Sequence, residues 1–395
     1  MRPIHPFPAR MAPEIALKAI SRLPVGAKVL DPMTGSGTVL REAVLQGHEA
    51  IGYDLDPLAV MITKVWTTPI NLDSMSKIAD NLLDEAQKLK SSKIYLPWID
   101  DDQETIDFVD YWFSNPQKND LRKISFLLNQ YEQEGINKNV LNALRLALSR
   151  IIITKKVGAS LAWDISHSRP HKARDENDYD VMGGYKASIQ KLKKQLVFDR
   201  EEIGAAKVTL GDARNLRGVK DKTIDAVITS PPYLNAIDYL RGHKFSLIWF
   251  GRQISEIRDI RSTSIGAERA CKIANENEAV LDIRNKIIHE DDLPSSQVKM
   301  IDRYVGDAIK LMSEVSRVLA KDGKAILVVG NSCLKGVYIK NSDIFKHAGK
   351  MFGLNIYSSV KRELPTQSRY LPMPKGTSAP LGGRMRYEIV QTFVN

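Results

Sequence analysis

The chain has 395 residues, 43% hydrophobic and 26% charged, with a formal net charge of +10. It is long enough for two or three structural regions, and no run approaches the ~18 apolar residues of a membrane span. The basic excess suits a polyanionic partner whose phosphates Lys and Arg neutralise, although a basic surface alone would also account for it.

The start, "MRPIHPFPARMAPEIALKAI", is broken by prolines and offers no apolar signal segment, so an intracellular, cytoplasmic protein is expected. Residues 11–23 read as an amphipathic helix and "AKVLDP" (27–32) as a short buried strand. A helix over 37–47 is closed by Gly47, a second strand covers 48–57, and a further helix begins at Pro57. Strand–helix alternation in such short units predicts a parallel, doubly wound α/β sheet.

From about 70 to 204 the rhythm breaks into leucine- and charge-rich helical stretches, interrupted by the polar "DISHSRPHKARDENDYDVMGG" (164–184). Strand signals return at 205–216 and 223–233, and a helix follows over 235–251. Residues 252–298 read as irregular and charged. A long helix (300–323), a strand (324–332), a helix near 342–352, a strand near 354–362 and a terminal strand (385–395) complete the chain. One α/β unit is therefore expected from 1–69, 205–251 and 299–395, with a helical insertion at 70–204 and a second insertion at 252–298. Cys271 and Cys333 form no CxxC metal pattern and no disulfide framework, so no metal is expected.

Chemistry concentrates at the strand ends. "VLDPMTGSGTVL" places Gly35, Ser36 and Gly37 between a strand and a helix, where N–H groups can meet a ligand. Such a turn alone is weak, since glycine there often serves geometry only. It is neither a Walker A loop nor a full G-x-G-x-x-G. Asp54 tips the next strand, where a carboxylate can accept both hydroxyls of a ribose. Asp31, before the turn, would repel a pyrophosphate but suits a ligand bearing an ammonium group. Asp212, after a third strand, could accept from an adenine amino group or serve as an ordinary turn residue. The series of acids points to S-adenosylmethionine. Farther on, Ala226-Val227-Ile228 runs into Ser230-Pro231-Pro232-Tyr233, where two prolines end any sheet ladder.

"HPFPARMAPEIA", "LDPMTGSGT", "GYDLDP", "GDAR" and "TSPPY" together resemble the successive motifs of the amino-methylating DNA methyltransferases, over roughly half the chain. The resemblance implies a Rossmann-like class I methyltransferase sheet that takes S-adenosylmethionine through Pro8, Asp31, Pro32, Gly35, Ser36, Gly37, Thr38, Asp54, Leu55, Asp212 and Ala213. It implies a catalytic segment of Ser230, Pro231, Pro232 and Tyr233. The glycine turn precedes the catalytic segment here, unlike the order in the family branch whose "DPxxGSGT" wording the chain shares.

An exocyclic amine conjugated to its ring is a poor nucleophile. The Ser230 hydroxyl and Pro231 carbonyl can accept its hydrogens and free the lone pair for attack on the sulfonium methyl. Tyr233 can stack on a base flipped out of double-stranded DNA. Carbon-5 cytosine methylation, which needs a Cys after Pro, is disfavoured because neither cysteine follows a proline. In the family a Ser opening this tetrapeptide goes with cytosine N4, so a restriction-modification or defence enzyme of that specificity is expected. Adenine N6, an RNA amine and a catalytically dead scaffold are the alternatives. The loop over 166–180 could grip phosphates or base edges or be merely solvated, and Arg241, His243 and Lys244 are expected to face DNA.

Overall fold

Short apolar runs bounded by proline and glycine set the first βαβ unit. The computed structural model describes residues 3–7, 11–154, 157–163, 171–196, 204–234, 238–266, 277–289, 292–364 and 387–395. Helix α1 (Pro13–Ile20) leads to β1 (Lys28–Asp31), α2 (Thr38–Leu45), β2 (Glu49–Asp54) and α3 (Pro57–Thr67). Both α1 and α3 open on proline, whose fixed φ and missing N–H suit a first helical position.

The stretch 70–204 folds as α4 (Leu72–Lys88), α5 (Pro97–Asp100), α6 (Gln103–Trp112), α7 (Asn115–Gln133), α8 (Lys138–Ile152), a hairpin of β3 (Ala162–Trp163) with β4 (His171–Lys172), and α9 (Val181–Gln195). Asn71, Asp102, Asn137 and Asp180 cap four of these helices by accepting backbone N–H groups. Helix α8 is buried almost all round, which marks the centre of this bundle.

Strands β5 (Ala206–Leu210) and β6 (Ile224–Thr229) return to the sheet, followed by α10 (Leu240–Leu247), α11 (Ile254–Thr263), α12 (Glu278–Ile287), α13 (Ser295–Val318) and β7 (Leu319–Gly330). A hairpin of β8 (Ser332–Leu334) and β9 (Val337–Ile339), then α14 (Asn341–Met351), β10 (Asn355–Glu363) and β11 (Tyr387–Val394), finish the chain. Two expectations are corrected. The stretch 252–298 carries α11, α12 and the start of α13; in α11, Ile254 and Ile257 bury one face of a helix whose other positions are mostly charged or hydroxyl-bearing. The strand expected to 332 ends at Gly330, and a hairpin turns through Lys335 and Gly336, both at positive φ.

The seven-stranded sheet runs β10-β11-β7-β6-β1-β2-β5, parallel from β7 to β5, with β11 antiparallel to both its neighbours. This is a doubly wound, Rossmann-like α/β sheet with a mostly helical insertion. Alternation along the strands covers both faces: Val29, Ala226 and Ile228 meet α1 and α2, while Leu30 and Val227 meet α13 and α14. The chain crosses from β5 back to β6, so the carboxyl ends of β1 and β6 flank the point where strand order reverses, the usual ligand crevice of such sheets.

One apolar cluster joins the helical stretch to the sheet's own helices: Leu58, Ile62 and Trp66 of α3 pack with Leu144, Tyr185, Phe245 and Trp249. The Ser125 hydroxyl donates to the Trp249 carbonyl at 2.5 Å and the Trp98 indole to the Ile248 carbonyl at 2.7 Å. Leu144→Ala should lower the free energy of unfolding by about 2–5 kcal/mol. Because the cluster is shared, fluorescence and circular dichroism should follow one urea transition; two separate transitions would contradict a shared core.

Candidate active site

Asp31 closes β1 and is only 3% exposed. Its Oδ1 accepts the Met33 N–H at 3.1 Å and the Thr229 hydroxyl at 2.8 Å, the latter reaching across from the end of β6. Burial pushes this carboxyl up to about 7, against the opposing pull of the two hydrogen bonds. Asp54 closes β2, where Oδ2 accepts the Gly35 N–H at 2.8 Å and Oδ1 accepts the Asp56 N–H at 2.9 Å. Burial, then the Asp56 charge, raise it to about 7 as well. Each Asp54 oxygen still has a lone pair to offer a second donor.

Between the two acids the chain turns through Gly35 (φ +48°) and Gly37 (φ +80°). A Cβ on Gly37 would stand 2.9 Å from Thr63 Oγ1 and 3.1 Å from Thr63 Cα, so glycine lets α2 begin against α3. Open N–H groups were expected here, but four of them point inward. Met33 donates to Asp31, Thr34 to the Tyr53 carbonyl at 2.9 Å, Gly35 to Asp54, and Gly37 to the Thr34 carbonyl at 2.8 Å. The turn uses these donors to hold the acids. Pro32, Ser36 and Thr38 are buried beneath it, the two hydroxyls 3.0 Å apart, and Leu55 is partly exposed beside Asp54.

Beyond Thr229 the prolines end the ladder. The Ser230 hydroxyl donates to the Val328 carbonyl of β7 at 3.0 Å, and the Tyr304 hydroxyl of α13 donates to the Pro232 carbonyl at 2.9 Å. Pro231 is buried, and among the described residues no donor reaches its carbonyl. Tyr233 is partly exposed. Ser332 donates to the Leu234 carbonyl at 2.6 Å and receives the Asn341 amide at 2.8 Å, which fixes the exit of the segment.

Asp212 lies beyond β5 but is not a lone acceptor. Arg214 grips its carboxylate through Nε at 2.9 and 3.1 Å and through a terminal nitrogen at 2.7 Å, and also binds Asp307 at 2.6 Å. Neighbouring Ala213 is buried. Pro8 lies outside the described residues, as do 164–170 of the polar loop. Phe7, missed in the sequence, lies 3.4 Å from where a Gly35 Cβ would stand. His243 does not face outward: it is 2% exposed and its Nδ1 pairs with Asp56, while Lys244 lies over the Phe108 ring at 4.8 Å. The second acid of "YDLDP" was the visible signal for that pair.

No protein-family model matches the chain. It is 23% identical over 387 residues to Type II methyltransferase M.MvaI of Kocuria varians, covering 92% of this chain and 84% of that protein. Its curated relatives are type II methyltransferases. M.AvaI of a Nostoc species is 22% identical over 89% of this chain and 76% of its own length. M.BsoBI of Geobacillus stearothermophilus is 25% identical over 64% of this chain and 52% of its own. A solved TehB-like SAM-dependent methyltransferase from Corynebacterium glutamicum aligns with 98% of this chain and 89% of its own at 10% identity and a TM-score of 0.31.

Both acids titrate near 3.8 in the unfolded chain and near 7 in the fold, so the native state binds more protons in between. The stability they contribute is present below the unfolded value and is lost as pH rises through the folded one. Asp31→Asn keeps an acceptor for Thr229 and removes the buried charge. Its stability advantage over the natural protein should shrink by on the order of 2 kcal/mol from pH 8 to pH 5. Urea midpoints at the two pH values measure this, and a constant difference would contradict it.

Proposed function

We propose that this chain is an S-adenosylmethionine-dependent DNA methyltransferase acting on an exocyclic amine, cytosine N4, within a specific sequence of double-stranded DNA. The Thr229–Asp31 hydrogen bond carries this reading, because it sets the cofactor-side acid beside the segment that would hold the base. The likeness to type II methyltransferases supports DNA as the substrate and a restriction-modification setting. The +10 net charge agrees with a polyanionic partner.

The donor set fits the cofactor. Asp31 suits the ammonium of its amino-acid tail, and the free lone pairs of Asp54 suit the two ribose hydroxyls. Asp212 would accept from the adenine amine while sharing its carboxylate with Arg214. Pro32, Gly35, Ser36, Gly37, Thr38, Leu55 and Ala213 would shape the walls, with Pro8 closing the methionine end.

The cofactor supplies a methyl group made electrophilic by a sulfonium. The residues of the chain prepare the nucleophile. Because the Ser230 hydroxyl gives its hydrogen to Val328, its oxygen is left as an acceptor, as is the carbonyl of Pro231. Together they accept both hydrogens of the amine, draw its nitrogen toward sp³ and aim the freed lone pair at the methyl carbon. An amine that accepted this methyl would carry one proton too many, and that proton would pass to solvent. Tyr233 stacks on the extruded base, and Tyr304 holds the Pro232 carbonyl so that the prolines stay rigid.

Ser230 opening the tetrapeptide supports cytosine over adenine. The α/β portion (1–69, 205–251, 299–395) would carry out the chemistry, with 70–204 and 252–298 contacting DNA. Ser230→Ala should leave S-adenosylmethionine affinity within about twofold and slow methyl transfer by about a hundredfold or more. Labelled cofactor, mixed DNA and RNA substrates, and nucleoside analysis test the whole reading. N4-methylcytosine is expected, N6-methyladenine would contradict the base, and labelled RNA alone would contradict the substrate.

A further inference from the structure

His243 lies in α10, the first helix after the segment proposed to hold the base, yet its ring points into the cofactor half of the fold. Its Nδ1 donates to Asp56, and both residues are buried, at 2% and 7% exposure. Asp56 has three roles at once. Its Oδ1 accepts the Leu58 N–H at 2.8 Å and caps α3, its Oδ2 takes His243, and its own N–H donates to Asp54 at 2.9 Å. The cap requires only one carboxylate oxygen. Burying an imidazole against the other is a desolvated polar contact that packing alone would not call for.

The ring is walled in. Phe7 lies 5.1 Å from His243 and 5.2 Å from Tyr239, centroid to centroid, and the same Phe7 covers Gly35. Among the described residues His243 Nε2 has no hydrogen-bond partner, so the ring is held through Nδ1 alone. Gly35 and Asp56, the two backbone donors to Asp54, are thus each backed by an aromatic ring, Phe7 behind one and His243 behind the other.

We propose that His243 is a positioning residue for cofactor binding: by gripping Asp56 it fixes the N–H that orients the Asp54 carboxylate, and so links the base-side helix α10 to the ribose-binding acid. The inference rests on the functional reading above, in which Asp54 accepts the ribose hydroxyls. The electrostatics run the same way, since the Asp56 charge raises the Asp54 carboxyl and His243 opposes that rise. With His243 in place Asp54 stays a better acceptor and points in one direction.

The test uses the full chain, S-adenosylmethionine titrated by calorimetry, and steady-state methyl transfer, with melting curves as the check on folding. His243→Leu should raise the Kd and KM for S-adenosylmethionine about tenfold or more, the loss falling on KM rather than kcat. His243→Asn, whose amide N–H can reach the same carboxylate, should stay within about threefold of the natural protein. Asp56→Ser keeps a helix cap but removes the partner of His243, so it should show the tenfold loss even if His243→Leu fails to fold. Natural affinity in folded His243→Leu or Asp56→Ser overturns the inference alone, as does an Asn variant no better than Leu. A natural protein that binds no S-adenosylmethionine overturns the functional reading and the inference together.

Discussion

The hydrogen bond from the Thr229 hydroxyl to Asp31, 2.8 Å long and buried, joins the ends of two parallel strands at the point where the sheet reverses direction. Other parts of the site are arranged around it. β1 leads away from it into the glycine turn and the acid of β2, while β6 leads into a proline-stiffened segment that cannot continue the ladder. A carboxylate this buried is held against its own preference for water, which is why its proton is retained to about pH 7. An ammonium-bearing ligand beside it, as proposed for the cofactor, would relieve that penalty.

The glycine turn serves the same constraint. Two acids 23 positions apart in sequence, Asp31 buried and Asp54 half-buried, are held by backbone N–H groups of one turn, from Met33 and Gly35. Positive φ at Gly35 and Gly37 gives the turn that shape, and the close approach of Thr63 excludes a side chain at Gly37. The helical stretch 70–204 shares its core with α3, which Asp56 caps, and with α10, which carries His243. Its packing therefore bears on the site even where its residues do not line it. His5 illustrates this, reaching the Ser149 hydroxyl of α8 at 2.9 Å.

Much of the fold was legible because the sheet strands are short apolar runs that stop at Asp, Pro or Gly, and the parallel order follows from their alternation with helices. Asp31, Asp54 and Ser230 were legible as residues at strand ends. What was not legible depended on partners distant in sequence. That Arg214 grips Asp212 and Asp307 at once requires α13 to lie against the loop that follows β5. That His243 turns inward requires Asp56, 187 positions earlier. In α10 the histidine sits between Arg241 and Lys244, so its neighbours suggested an outward, DNA-facing role. Helices α11 and α12 were hidden for a related reason: charge density masked an apolar face only two or three residues wide.

In the proposed reading the two strand-end acids hold the cofactor with its methyl group toward Ser230 and Pro231. A crystal structure of the full chain with S-adenosylhomocysteine measures this directly. Both ribose hydroxyls should lie within hydrogen-bond distance of Asp54, with the ligand's ammonium beside Asp31 and its sulfur facing the Ser230 hydroxyl. A ligand bound elsewhere, or one whose sulfur faces away from Ser230, would contradict it.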